Sequence, residues 1–168
     1  MAARPIVLYG DPVLREVSQP VGKINREIRD LVSDMVDTLK KARGLGLAAV
    51  QVGILKRVFI IDLSAVNIAE TLRVFINPEI MQATGEIELE EGCLSFPGLY
   101  QKIVRPAVIR VRAMDVEGNH FEMEASGMVA RAILHEYDHL EGKLFVDYLS
   151  SLARTLIKGR LRKLAKVS

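Results

Sequence analysis

The chain has 168 residues, with 23 Lys+Arg against 21 Asp+Glu, a single cysteine and no tryptophan. That length fits one domain, expected to span 1–168, and the lone cysteine excludes an internal disulfide framework. A net charge of +2 argues against sequence-specific nucleic-acid binding, and no apolar run reaches the roughly 18–20 residues of a membrane span.

The opening Met1-Ala2-Ala3-Arg4-Pro5 reaches strand-like Ile6-Val7-Leu8-Tyr9 too soon to hold a leader, so a cytoplasmic protein is expected. Asp11-Pro12 starts a short helical or turn segment ending by Pro20. Across 24–43, Ile24, Ile28, Leu31, Val32, Met35, Val36 and Leu39 recur at helical spacing. Asn25 is the expected N-cap, Gly44 the expected C′ residue, and the polar face predicts a peripheral helix. After a glycine-rich stretch, 57–63 and 73–77 read as short buried strands. Glu86-Ile87-Glu88-Leu89-Glu90 alternates as a half-exposed strand does. Segments 107–116 and 121–125 flank Glu117-Gly118-Asn119, which predicts a hairpin. Residues 127–141 are apolar around most of a helix, capped by Ser126 and stopped by Gly142, so a core helix is expected. The tail from Ser150 to Lys166 reads as a second amphipathic helix, and the whole order as α+β.

His135-Glu136-Tyr137-Asp138-His139 carries the strongest chemical signal. Four residues apart on a helix, both imidazoles leave one face and can bind one metal ion, with Glu136 placed to handle a water proton. A third ligand is required. Phe145 stands where a metzincin has its third histidine, and no acid follows Asp147, so the ligand must come from upstream. Cys93, in Glu91-Gly92-Cys93-Leu94-Ser95, is the candidate, since a thiolate binds zinc or ferrous iron well. Gly44-Leu45-Gly46-Leu47-Ala48-Ala49-Val50-Gln51 lacks the residues of a nucleotide loop, but its small residues allow close backbone approach and Gln51 offers an amide donor.

Taken in order, Gly44-x-Gly46-x-Ala48-Ala49-x-Gln51, Glu91–Ser95 and His135-Glu136-x-x-His139 resemble the three signature motifs of the peptide deformylase family. The resemblance extends from Asp11-Pro12-Val13-Leu14-Arg15 to Leu144-Phe145-Val146-Asp147. It implies short antiparallel or mixed sheets around a central metal-binding helix, with a C-terminal helix. It also implies a hydrolase that removes the formyl group from the N-terminal formyl-methionine of new proteins, releasing formate. By the same resemblance Cys93, His135 and His139 hold one divalent metal. Ferrous iron is the expected ion, and zinc, nickel or cobalt can replace it in purified protein. Hydroxide generated on that metal would attack the formyl carbon, with Glu136 as general base and acid. Gln51 and the Leu94 N–H would stabilise the oxyanion. The peptide would pair as an extended strand with the backbone near Gly46 and Gly98. Helix spacing puts Met128, Arg131 and Ala132 next to the metal-facing side, where with Leu45 and Leu47 they would form the methionine pocket.

Two positions depart from the family pattern. Leu134 stands where glutamine is frequent before the first metal histidine, and Tyr100 where some members place an arginine, leaving the partner of Glu91 open. Arg154, Lys158, Arg160, Arg162, Lys163 and Lys166 make the segment 149–168 basic, which suggests ribosome docking or a solvated helix face. Two other functions compete with the deformylase reading: a generic His-Glu-x-x-His metalloprotease, and a catalytically silent ribosome-binding module. The lack of a leader points to the bacterial cytoplasm, with a processed organellar form as the alternative.

Overall fold

The computed structural model describes residues 2–67 and 69–167; Met1, Ile68 and Ser168, and with them the start of the leader reading, lie outside it. Ala2–Arg4 runs beside the first helix, α1 (Arg26–Ala42), where the Asp34 carboxylate accepts from Ala2 N at 2.8 Å and Arg4 Nε at 2.9 Å. Ile6–Tyr9 forms no strand, in contrast to its apolar pattern. It is held instead by Val7 N donating to Gln51 O and Tyr9 N donating to Ser95 O. The short segment after Asp11 is a 3-10 turn, Pro12–Arg15, capped by the Asp11 side chain on Val13 N.

In α1 the Asn25 side chain accepts from Ile28 N, the cap its sequence promised. The helix buries Ile28, Leu31, Val32, Met35 and Leu39 and turns its charged face outward. It ends on Arg43, which takes the left-handed conformation (φ 57°) expected for Gly44. Gly44 is needed for closeness instead: a Cβ there would lie 2.6 Å from Leu94 Cδ1.

Among the described residues seven strands follow: β1 (Gly46–Ala48), β2 (Val58–Ile61), β3 (Arg73–Thr84), β4 (Ile87–Cys93), β5 (Phe96–Arg105), β6 (Val108–Met114) and β7 (His120–Ser126). Five form one sheet in the order β1-β2-β3-β6-β7, and β4 pairs with β5 separately. Every pairing between these strands is antiparallel; a single parallel bridge joins Gln19 to Lys56. β3 runs well past Asn77-Pro78, beyond the strand expected over 73–77. A register shift there, with Asn77 at φ 51°, carries the chain across the proline. The Asn77 side chain braces this bulge by accepting from Val21 N and donating to Val21 O. The hairpin between β6 and β7 forms as expected, with Gly118 at φ 86° and Asp115 Oδ1 accepting from Glu117 N and Asn119 N.

The helix α2 (Gly127–Leu140) packs on the five-stranded sheet through Ala130, Ile133, Leu134 and Leu140, against Phe59, Phe75, Ile109 and Val111. Leu134 is thus core packing. Ser126 occupies the N-cap position without a side-chain cap bond. The last helix, α3 (Ser151–Val167), lays Ile157 and Leu161 on a cluster with Leu14, Phe96, Leu99 and Phe145. Among the described residues no helix is long and apolar enough to cross a membrane. The stop after α2 is sterically exact: Gly142 sits at φ 72°, and a Cβ on it would lie 2.5 Å from Arg15 O. Gly142→Ala is therefore expected to cost about 2 kcal/mol, seen as a lowered urea midpoint; an unchanged midpoint would show that the backbone yields freely.

Candidate active site

A cleft of about 620 Å³ opens between α2, the β4–β5 pair and the start of β1 at Gly46. Its floor is α2, a helix buried along most of its length because its apolar residues face the sheet. The helix presents His135, Glu136 and His139, all nearly inaccessible to solvent. Cys93 comes from the end of β4, where a register shift at Gly92/Cys93 turns the strand towards the helix. One ligand atom each from Cys93, His135 and His139 lies within 4.8 Å of the others, and Cys93 Sγ is 3.4 Å from His139 Nε2.

This donor set fits a divalent ion. Cys93, His135 and His139 would hold such an ion through one thiolate and two imidazoles, a set with room left for a water or substrate ligand. Burial opposes a charge on His135, but the neighbouring Cys93 and Glu91 outweigh it and raise its proton affinity well above the usual imidazole value, so an ion bound there would displace that proton. Burial, reinforced by His135 and Arg105, lowers His139 and keeps it neutral, the form that binds metal.

Behind the ligands lies a charge network that sequence reading only partly foresaw. Glu91 Oε2 accepts from His135 Nδ1 at 2.6 Å, fixing the ring so that Nε2 is the nitrogen left for the ion. Arg105 Nε and Nη2 bind the two Glu91 oxygens at 2.7 and 2.8 Å, and Arg105 Nη1 binds Asp138 at 2.9 Å. Arg131 Nη1 reaches Glu91 Oε1 at 2.8 Å, while its Nη2 donates to Ile87 O. Burial pushes the Glu91 carboxyl up, yet the hydrogen bonds from Arg105 and His135 prevail and hold it well below the ordinary carboxylate range. The open question of a partner for Glu91 is thereby answered by two arginines. The signal for Arg105 was its parity: on β5 it falls on the inward side with Leu99, Ile103 and their neighbours.

Glu136 differs in kind. Burial, supported by the Glu91 and Asp138 carboxylates, pushes it up to about 7, and its Oε1 has no hydrogen-bond partner. Gly46 faces it, and a Cβ on Gly46 would lie 2.6 Å from Glu136 Oε2. Gln51, 1% exposed, accepts from Ala48 N through Oε1. Its Nε2 donates to Ser95 Oγ at 3.0 Å and lies 3.6 Å from Cys93 Sγ. Ser95, which the sequence did not single out, passes the chain of bonds on to Val7 O.

Leu45, Gly46, Gln51, Leu94, Gly98, Met128, Arg131 and Ala132 all line the cleft. Leu47 does not. It is fully buried between α1 and the sheet, because alternation along β1 turns it to the side opposite its neighbours. Arg131 lines the cleft with its guanidinium committed to Glu91. Phe145, at the position of a metzincin's third histidine, packs its ring 5.8 Å from that of His135.

The comparisons with known proteins agree with this geometry. The chain is 48% identical over 166 residues to a peptide deformylase of Alkalilimnicola ehrlichii, covering 99% of this chain and 93% of that one. The fold matches the crystal structure of a peptide deformylase from Legionella pneumophila with a TM-score of 0.91, at 41% identity, over 99% of this chain and 97% of that chain. A peptide deformylase from Ehrlichia chaffeensis in complex with actinonin matches with the same TM-score of 0.91 at 38% identity, over 100% and 99% of the two chains. The polypeptide deformylase family profile spans residues 3–155, and so takes in the cysteine, the histidine pair and the cleft between them: the chain belongs to the polypeptide deformylase family.

Proposed function

We propose that this chain hydrolyses the formyl amide of formyl-methionyl peptides, releasing formate and a free amine. The observation that carries the reading is the convergence of Cys93, His135 and His139 beside a buried, unpaired Glu136 carboxyl on the floor of a peptide-sized cleft. When bound, a divalent ion supplies Lewis acidity and a water of lowered pKa; ferrous iron is the ion we assign to the native protein, which metal analysis after anaerobic preparation tests.

The chain's own residues do the rest. Glu136, with a value near 7, takes the proton of the attacking water and returns it to the leaving amine. Gln51 Nε2, held by Ser95 and by its own Oε1 contact, donates to the developing oxyanion together with the Leu94 N–H. β1 is the edge strand of its sheet, so the backbone at Gly46 can take the peptide as an added strand, with Gly98 on the facing wall. Leu45, Met128, Ala132 and the stem of Arg131 receive the methionine side chain.

Formate release from a formyl-Met peptide tests this directly. Glu136→Gln is expected to lower kcat by about 10²–10⁴ while retaining metal, and Cys93→Ala to lose metal and activity together. Cleavage of internal peptide bonds instead would favour the protease reading, and no turnover by metal-loaded wild type would sink the assignment.

Glu91→Gln leaves two buried guanidinium groups short of a counter-charge and is expected to cost about 3–5 kcal/mol and 10–100-fold in metal affinity, of order. Because the folded value of Glu91 is depressed, its contribution is present above about pH 4.3, the unfolded value, and is lost as pH falls below it. Denaturation midpoints measured from pH 7 downwards should therefore converge for wild type and variant.

We also assign α3 a docking role on the ribosome. Its six basic side chains are all exposed, while Ile157 and Leu161 anchor the opposite side. Reversing Lys158, Arg160 and Lys163 to Glu keeps that anchor. It should abolish ribosome co-sedimentation without reducing peptide turnover; retained co-sedimentation would refute docking.

A further inference from the structure

The guanidinium of Arg105 is buried, yet the ring that lies over it is half in water. Arg105 is 4% exposed and Tyr148 is 47% exposed, with Arg105 Cζ 5.0 Å from the Tyr148 ring centroid. Tyr148 does not line the cleft. It ends a 3-10 turn, Phe145–Tyr148, that is pinned on two sides. Phe145 and Val146 are sunk in the cluster that also takes Ile157 and Leu161 of α3. The Asp147 carboxylate accepts from Arg15 Nη1 and Nη2 at 2.7 and 3.0 Å and from Leu144 N at 3.0 Å. The ring is therefore set in place before it meets Arg105. Its hydroxyl is hydrogen-bonded to Asp138, which also binds Arg105 Nη1. Burial, together with that carboxylate, pushes the hydroxyl up to about 12, so it stays a donor. Arg105 thus has its N–H edges on Glu91 and Asp138 and one face on an aromatic ring.

We infer that Tyr148 is a positioning residue for the metal centre: its ring, laid over Arg105, holds the guanidinium on Glu91 and so keeps Glu91 on the His135 ring. The inference rests on the metal-site reading above. A guanidinium is planar and weakly hydrated, so an aromatic face suits the side that its N–H groups leave free. With that face uncovered, the guanidinium can tilt outward and exchange carboxylate bonds for water, and the local dielectric rises. Glu91 would then hold His135 Nδ1 less firmly, and a ligating ring whose other nitrogen is loosely held binds metal less well. Four side chains in contact, Tyr148, Arg105, Glu91 and His135, run from the outer surface to the ligand. An aliphatic side chain at 148 covers part of the site but offers no π-face, whereas phenylalanine offers the face without the hydroxyl.

The test is the rate at which zinc-loaded wild type, Tyr148→Phe, Tyr148→Leu and Tyr148→Ala give up the ion to excess chelator, with absorption spectra of the cobalt(II)-loaded forms beside it. Tyr148→Phe should release zinc within about twofold of wild type, and Tyr148→Leu and Tyr148→Ala about five- to tenfold faster. The cobalt bands should shift in Tyr148→Leu and stay in place in Tyr148→Phe. Urea midpoints of the metal-free Phe and Leu variants should coincide. Release from Tyr148→Leu as slow as from Tyr148→Phe would leave only bulk at work and overturn the inference. Release from Tyr148→Phe as fast as from Tyr148→Ala would overturn it too, by assigning the effect to the hydroxyl. So would a metal-free midpoint lowered in Tyr148→Leu alone, which would trace faster release to a loosened fold. Equal release from all four proteins would overturn the inference and leave the metal site standing; a wild type that takes up neither zinc nor cobalt would overturn both.

Discussion

Glu91 is 6% exposed, and an ionised carboxylate at that depth is tolerable only when its oxygens are fully occupied. Arg105 from β5, Arg131 from α2 and the His135 ring all meet there. One side chain therefore joins the separate β4–β5 pair to the helix that packs on the main sheet. The network is electrically balanced, two guanidinium groups against Glu91 and Asp138, so its desolvation is offset only while all four remain. Cys93 stands two residues along the same strand and His135 four residues along the same helix from Arg131. The contact that holds the two layers together thus also sets the distance between the thiol and the imidazoles. Removing one partner would disturb structure and ligand geometry together.

The neighbouring carboxylate is treated in the opposite way. Glu136 is as deeply buried as Glu91 but receives no arginine, and Gly46 comes so close that a single methyl group would collide with it. Two carboxyl groups in one helix turn's reach thereby have different tasks. Glu91 is kept charged to orient a ring, while Glu136 is kept near neutrality, where a proton can be taken up and given back. The requirement for glycine at position 46 follows from this approach more than from any turn, since Gly46 is extended strand at the sheet edge.

Much of this was legible in the residues. Periodicity places α1, α2 and α3 within a residue or two, and the spacing of His135 and His139 predicts their shared face. The failures have physical causes. Ile6–Tyr9 is apolar because Ile6, Val7 and Tyr9 pack on the core clusters, with the Tyr9 ring tilted over Phe96 at 4.8 Å between centroids, and not because it joins a sheet. β3 outruns its apolar run because Asn77 bends it across Pro78, and pairing with β6 sustains the remainder. β5 escaped notice because Pro97 and Gly98 resemble a turn, although they sit at a cleft wall. Leu47 was assigned to the pocket on proximity alone, whereas strand alternation sends it to the core. Ser95 and Arg105 were missed because their roles depend on partners 44 and 14 residues away. Arg105 alone left a trace, a charge on the inward parity of a strand.

The near-neutral net charge conceals a separation that bears on how such a molecule approaches its substrate. Residues 1–147 carry 17 basic and 21 acidic side chains, and the remaining residues carry six basic side chains and none that are acidic. All six lie on α3, a helix whose apolar side chains, Ile157 and Leu161, are already used against the N-terminal segment and Phe145. The basic face is therefore free without cost to the core. A body with excess negative charge and a positive end orients in the field of a polyanion before contact, positive end first. The cleft belongs to the acidic part, with Glu90 at its mouth. Charge thus divides along the chain: positive charge gathers on α3, and the cleft, in the acidic part, is left to meet an uncharged, formyl-blocked peptide end.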